Sequence, residues 1–528
     1  MKAPLAHRLL RPTALALALI TATAGSGWPQ PAAAQVNLPA LGDAVSEDFD
    51  ITAENRLGER IMMEIRQDPD YLDDPVLSDY IQSIWQPLVQ AAQNAGYLEP
   101  ERARLFAWET FEVREKSINA FALPGGYVGV HLGLIAMTGS SDELASVLGH
   151  ELTHVVQRHI ARSMAAQKQQ SILSMAGLVL GLIAAAHSNS VDAANAVVMG
   201  SQAAAVQGQL NFSREMEREA DHIGMQLMTQ AGFASSGMSQ MFEKLEASSR
   251  LNDSNQYPYL RSHPLTIERI SDARLRMNAS PSHRPPSAAV HALMQARARV
   301  LMDTSEPTLR RLQQQAAPGS PAVDTARLGA LYAGAFASLK LREFDTARRI
   351  ADSALALAAQ RYADEPVALR DLRLLSLEIE TALNRPRETL TAALAPLGQD
   401  RSRPVMLARS DAALVWQRAG DAEAAAQVRQ NLETLQTWVT EHKSDTLAWQ
   451  ALSQCAEAQG LRLRALRAAA EVAATQGDVN GAVDRFRTAQ RLAKEDPRSD
   501  YVEASIIQSR LREMEAEKRR LQAEARND

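Results

Sequence analysis

Residues 150–154 read His-Glu-Leu-Thr-His, and this pentapeptide constrains the chain more than any other stretch. On a helix, positions i and i+4 face the same way. Both imidazoles then aim at one point, with Glu151 near enough to engage a water held there. That arrangement suits a divalent metal with a carboxylate as general base. The surrounding pattern predicts one helix over 142–164, opened by a capping box that pairs Ser140 with Glu143. A catalytic zinc takes three protein ligands and keeps one position open, so a third ligand must come from elsewhere. Gln157 and Ile160 stand where one common pattern would place Gly and His, which excludes that solution. His159 falls off the metal-facing stripe and reads as a surface residue. The other solution is an acid on a later helix. Residues 211–224, NFSREMEREADHIG, carry Glu215, Glu217, Glu219 and Asp221 in a helix-compatible run. Glu217 and Asp221 share a face, so one can bind metal while the other orients a ligand imidazole. Spacing does not choose among Glu215, Glu217 and Glu219, and a solvated acidic face is the plainer alternative. Ala220 is small enough to let this helix pack closely on the first.

The remaining organisation fits an exported protein. Lys2, Arg8 and Arg11, an apolar run over 13–24 and the small residues Ala32, Ala33 and Ala34 form a secretory signal over 1–34. The apolar run is far short of the ~20 residues a membrane span needs. The net charge of −6 is mild, with no concentrated basic face of the kind nucleic-acid binding uses. Cys455 is the only cysteine, so the chain forms no internal disulfide, and its apolar setting reads as a buried thiol. Residues 278–287, NASPSHRPPS, cannot continue a helix and read as a linker. They divide the mature chain into residues 35–277, which hold the His and Glu clusters, and residues 288–528.

Residues 288–528 read as helical pairs. Gly420, Gly460 and Gly477 are each followed five residues later by an alanine, Ala425, Ala465 and Ala482. Trp416 and Trp449 sit on preceding helices, where they fill grooves between units. The pattern resembles degenerate tetratricopeptide repeats, a solenoid of helix pairs with a concave partner surface. Residues 171–186 are almost wholly apolar and, with 193–206, read as a helical hairpin. Buried core is the favoured reading there, with peripheral membrane contact as the alternative.

HELTH together with the later SREMEREAD resembles the M48 family of zinc metallopeptidases. Residues 119–126, NAFALPGG, resemble the family's stretch leading into the active-site edge strand, and Ser262-His263-Pro264-Leu265 followed by Arg269 resembles its His-Pro motif. The resemblance implies a mainly α zincin-like fold with a small active-site sheet, followed here by the repeat-like solenoid. It implies one zinc ion held by His150, His154 and Glu217, Glu151 as general base, and Asp221 as the residue that orients a ligand. It implies that His263 approaches the metal as a fourth ligand that closes the site. Substrate is expected to lie extended along Asn119 and Tyr127, Val128, Gly129 and Val130. With the signal and the helical block, the resemblance implies a periplasmic endopeptidase with a chaperone-like role. It would degrade misfolded or stalled outer-membrane proteins and assist β-barrel assembly, with the β-barrel assembly machinery as partner. The alternatives are a general periplasmic clean-up protease and a mainly non-proteolytic scaffold.

Overall fold

The computed structural model describes residues 50–166, 214–251, 257–277, 287–317, 324–421, 423–495 and 500–527. The signal, the apolar segments 171–186 and 193–206 and nearly all of the linker lie outside the described residues. The described residues are mainly helical, with one small sheet. Its strands are β1 (Tyr71–Leu72), β2 (Glu109–Val113), β3 (Ala120–Leu123) and β4 (Tyr127–His131). They lie in the order β1-β2-β4-β3. β2 and β4 run parallel, with Glu109 opposite Tyr127, and β3 returns antiparallel, with Ala120 opposite Val130. β4 is buried along its whole length, as an interior strand covered on both faces should be. That leaves β1 and β3 as the edges of the sheet among the described residues, with β3 the one that contacts the Ser141–Val156 helix.

The helix carrying the pentapeptide runs Ser141–Val156, and every one of its residues is buried. Ser140 caps it, its hydroxyl accepting from the Glu143 N–H at 3.2 Å. Only half of the expected capping box forms, because Glu143 reaches back to the Gly139 N–H at 2.6 Å instead. The helix also ends earlier than the pattern predicts. Arg158 adopts φ 52, a left-handed conformation that ends the first helix, and a second begins at His159. The Arg158 guanidinium holds this break by donating to Glu54 Oε2 at 2.8 Å.

The acidic helix, Arg214–Gln230, packs directly on the Ser141–Val156 helix. Ala220 is fully buried, as its size suggests. The closest approach lies one turn on, where a Cβ on Gly224 would sit 3.0 Å from backbone atoms of Gly149 and His150. Helices Pro75–Asn94 and Ser236–Leu251 complete the packing around the central helix.

The described residues from 288 to 527 form successive helices that pack on their neighbours, and Gly420, Gly460 and Gly477 close turns with φ of 83, 72 and 77. Trp416 and Trp449 are buried, as is Cys455, whose thiol burial pushes up to about 12. The block is welded to the first half of the chain. Residues 42–528 form one compact unit, and a single apolar cluster joins Trp85 and Leu148 to Tyr332 and Leu435. Helix Ala288–Met302 packs on the first half of the chain. His291 Nε2 lies 2.8 Å from the Thr138 carbonyl and so carries the proton, leaving Nδ1 to accept from the Tyr80 hydroxyl at 2.6 Å. Arg297, Arg370 and Arg403, on three different helices, hold Asp74, Asp79 and Asp73 at 2.6–2.7 Å.

Candidate metal centre

Helix geometry aims His150 and His154 at one point, their Nε2 atoms 3.0 Å apart. The acidic helix crosses so that Glu217 faces them: Oε2 is 3.5 Å from His150 Nε2 and Oε1 is 3.6 Å from His154 Nε2. His263 enters from the loop after helix Pro258–Ser262, with Nδ1 3.3 Å from His150 Nε2 and 3.0 Å from Glu217 Oε1. All four residues are buried, and their donor atoms fall within 4.8 Å of one another, so this group could hold a metal ion. Ligand atoms at 2.0–2.1 Å from a tetrahedral zinc are about 3.3 Å apart, and the observed separations bracket that value.

Around this cluster the carboxylates are fixed. Asp221 Oδ1 lies 2.9 Å from His150 Nδ1, on the ring's far side. Arg269 donates to both Asp221 oxygens, at 2.6 and 2.8 Å, and to the Pro264 carbonyl at 2.8 Å. Its Nη1 also lies 2.9 Å from Glu217 Oε2 as an ion pair. Glu151 Oε2 accepts from the Ala122 N–H on β3 at 3.0 Å. Glu151 Oε1 is buried with no hydrogen-bond partner among the described residues, and faces His263 Nε2 at 3.5 Å.

Electrostatics separate the acids. Burial raises the Glu151 pKa, against the pull of His263 and His150. Burial pushes Glu217 up as well, but His263, His150 and Arg269 outweigh it and hold the carboxylate below its ordinary value. Asp221 is likewise lowered, with Arg269 and His150 overcoming burial. His154 is driven well below its usual value by burial first and by its neighbouring cations second. His154 is therefore held as the neutral imidazole and Glu217 as the carboxylate, the forms that bind metal.

The structure thus brings together His150, Glu151, His154, Glu217, Asp221 and His263. Glu215 is exposed and takes no part. Two expectations need correction. His159 is not at the surface: it is fully buried, because the break at Arg158 rotates it back against His154. Substrate cannot pair along Tyr127–His131 either. β4 already has β2 on one side and β3 on the other, so the main chains of Tyr127, Val128, Gly129 and Val130 present no free edge. The available edge is β3, and Ala122 on it already reaches Glu151. Asn119, next to that edge, has a buried Oδ1 without a partner among the described residues. Arg269 was legible only as part of a motif; its reach to Asp221 and Glu217 depends on helix crossings that spacing does not encode. Among the described residues, no helix is long and apolar enough to cross a membrane.

Residues 77–277 match Peptidase family M48. A Vibrio cholerae relative is 37% identical over 257 residues, covering 48% of this chain and 50% of its own length. The β-barrel assembly-enhancing protease of Yersinia pestis is 30% identical over 465 residues, 87% of this chain and 89% of that protein. The mitochondrial metalloendopeptidase OMA1 of Saccharomyces cerevisiae is 29% identical over 201 residues, 37% of this chain and 54% of its own.

Proposed function

The chain belongs to peptidase family M48, and on that premise we propose a periplasmic zinc endopeptidase that clears misfolded or stalled outer-membrane proteins and assists their assembly. The observation that carries the chemistry is the convergence of His150, His154 and Glu217 at 3.0–3.6 Å beside a buried Glu151. In this reading these three residues hold the metal, and Asp221 orients His150. A bound zinc ion supplies Lewis acidity, lowering the pKa of a water towards neutrality and polarising the scissile carbonyl.

The protein's own groups do the rest. Glu151 takes the water's proton on its unpartnered Oε1 and passes it to the leaving amine; burial, by raising its pKa, suits it to holding that proton between the two steps. The outer edge of β3 receives an extended chain by main-chain pairing, with Asn119 positioned to contact it. Such pairing reads backbone more than side chains, which suits unfolded substrates. His263 occupies the corner a water would need, between His150, Glu217 and Glu151, so it closes the site until its loop moves. We assign residues 35–277 to the peptidase domain and, past the linker 278–287, residues 288–528 to a repeat-like domain that contacts the substrate or the β-barrel assembly machinery. Export rests on the signal pattern over 1–34.

The test is cleavage of casein by the mature chain beside Glu151→Gln and His263→Ala. The reading expects Glu151→Gln to be inactive and His263→Ala to cleave faster than wild type. Cleavage by Glu151→Gln at the wild-type rate would overturn it.

A further inference from the structure

A metal-binding imidazole has two nitrogens to account for: one binds, and the other carries a proton that needs an acceptor. His150 follows the usual solution, with its Nδ1 against the Asp221 carboxylate. His154 does not. Its Nε2 faces the cluster, and its Nδ1 lies 2.8 Å from Nδ1 of His159. Two ring nitrogens at that distance share one proton. If His154 binds through Nε2, the proton sits on its Nδ1, and His159 Nδ1 must be the acceptor. His159 is then fixed as the Nε2–H tautomer. That N–H points at Glu219, whose Oε2 is 3.1 Å away and accepts a second bond from Arg162 Nη1 at 3.1 Å.

The donors converge on Glu219: His154 Nδ1–H donates to His159, His159 Nε2–H to Glu219, and Arg162 Nη1 to the same carboxylate oxygen. Both imidazoles are fully buried, and His159 Nδ1 lies within hydrogen-bond distance of His154 Nδ1. The backbone is bent to make this contact. On an unbroken helix His159 would point away from His154, since five residues advance the helix by about 500°, or 140° past a full turn. The left-handed Arg158 undoes that rotation, and its side chain is tied to buried Glu54.

We propose that His159 is a positioning residue for the metal centre, selecting the tautomer and ring orientation of His154, with Glu219 and Arg162 as its anchor. The proposal rests on the assignment of His154 as a ligand. Loss of such an outer partner costs about 10–100-fold in metal affinity.

The test is zinc affinity of the full mature chain, measured by chelator competition, for wild type, Glu151→Gln, His159→Phe, His159→Asn and Glu219→Ala. The unfolding midpoint of each metal-free protein is recorded alongside. Wild type and Glu151→Gln should bind with similar affinity. His159→Phe should bind about 10–100-fold more weakly, and Glu219→Ala should weaken in the same direction. His159→Asn, whose Oδ1 can stand in for the Nδ1 acceptor, should recover most of the loss. A purely structural role would lower the metal-free midpoint for Phe and Asn alike and leave no rescue. Equal affinity for wild type and His159→Phe, or equal loss for Phe and Asn, overturns the proposal while leaving the metal centre intact. Absence of zinc binding by wild type would instead sink the ligand assignment on which it stands. If His159→Phe does not fold, Glu219→Ala and His159→Asn carry the comparison, and wild-type affinity in Glu219→Ala overturns it.

Discussion

Replacing Arg297 by methionine tests whether the two halves of the chain share one core. The guanidinium is buried, with Nε 2.6 Å and Nη2 2.7 Å from the two Asp74 oxygens and Nη1 donating to the Tyr332 hydroxyl at 2.9 Å. It also lies over the Phe336 ring, 4.5 Å from the centroid. Methionine keeps the volume of the stem but leaves a buried carboxylate without its cation. Removing one partner of such a pair costs about 3–5 kcal/mol. Asp74 retains the Leu77 N–H it accepts as a helix cap, which places the cost near the lower end, about 3 kcal/mol. Unfolding entropy of about 2.1 cal/mol/K per residue gives about 0.9 kcal/mol/K for the roughly 400 described residues. Calorimetry should therefore show one transition with its midpoint lowered by about 3 °C. The pH dependence carries a sign. Burial opposes ionisation of Asp74, but Arg297 outweighs it and depresses the pKa. A depressed acid stabilises above its unfolded pKa of about 3.9, and that stability is lost as pH falls through the lower folded value. The gap between wild type and variant should be full at pH 7 and narrow in acid. Two transitions, with the first-half transition unmoved by the substitution, would refute a shared core, as would a shift below about 1 °C.

Other substitutions read other parts of the account. Glu151→Gln should lower casein turnover by about 10²–10⁴-fold with zinc retained, measured by turnover and metal analysis on the same sample. His263→Ala should raise turnover; an equal or lower rate with zinc bound would remove the closing role. Gly224→Val should destabilise by at least about 1–3 kcal/mol in chemical denaturation, because its side chain meets the Gly149 backbone, and should loosen metal binding by shifting Glu217.

Much of the centre was legible because it depends on short-range periodicity. His150 and His154 share a face by helix geometry alone, and Glu217 and Asp221 share one on a second helix, although spacing did not choose among Glu215, Glu217 and Glu219. What periodicity could not supply was the angle at which the helices cross. That angle exposes Glu215, faces Glu217 to the imidazoles and sets Gly224 against Gly149. A single residue at positive φ, Arg158, defeated the reading of His159, since an arginine carries no signal that a helix will break there. The sheet misled for a different reason. Residues 119–126 read as the stretch leading into an edge strand at Tyr127–His131, but strand order in the sheet is a long-range property, decided by β2 pairing in parallel beside β4. The join between the halves was hidden too. A proline-rich stretch reads as a linker, whereas contacts such as Tyr80 to His291 join residues 211 positions apart.

Glu217 as third ligand is tested by the zinc content of the purified mature chain beside Glu217→Ala and Glu215→Ala. Wild type should carry one zinc per chain, as should Glu215→Ala, whose side chain is exposed, and Glu217→Ala should keep little or none after dialysis. Full zinc retention by Glu217→Ala, or its loss in Glu215→Ala, would contradict the assignment of the third ligand and with it the geometry on which the proposed chemistry stands.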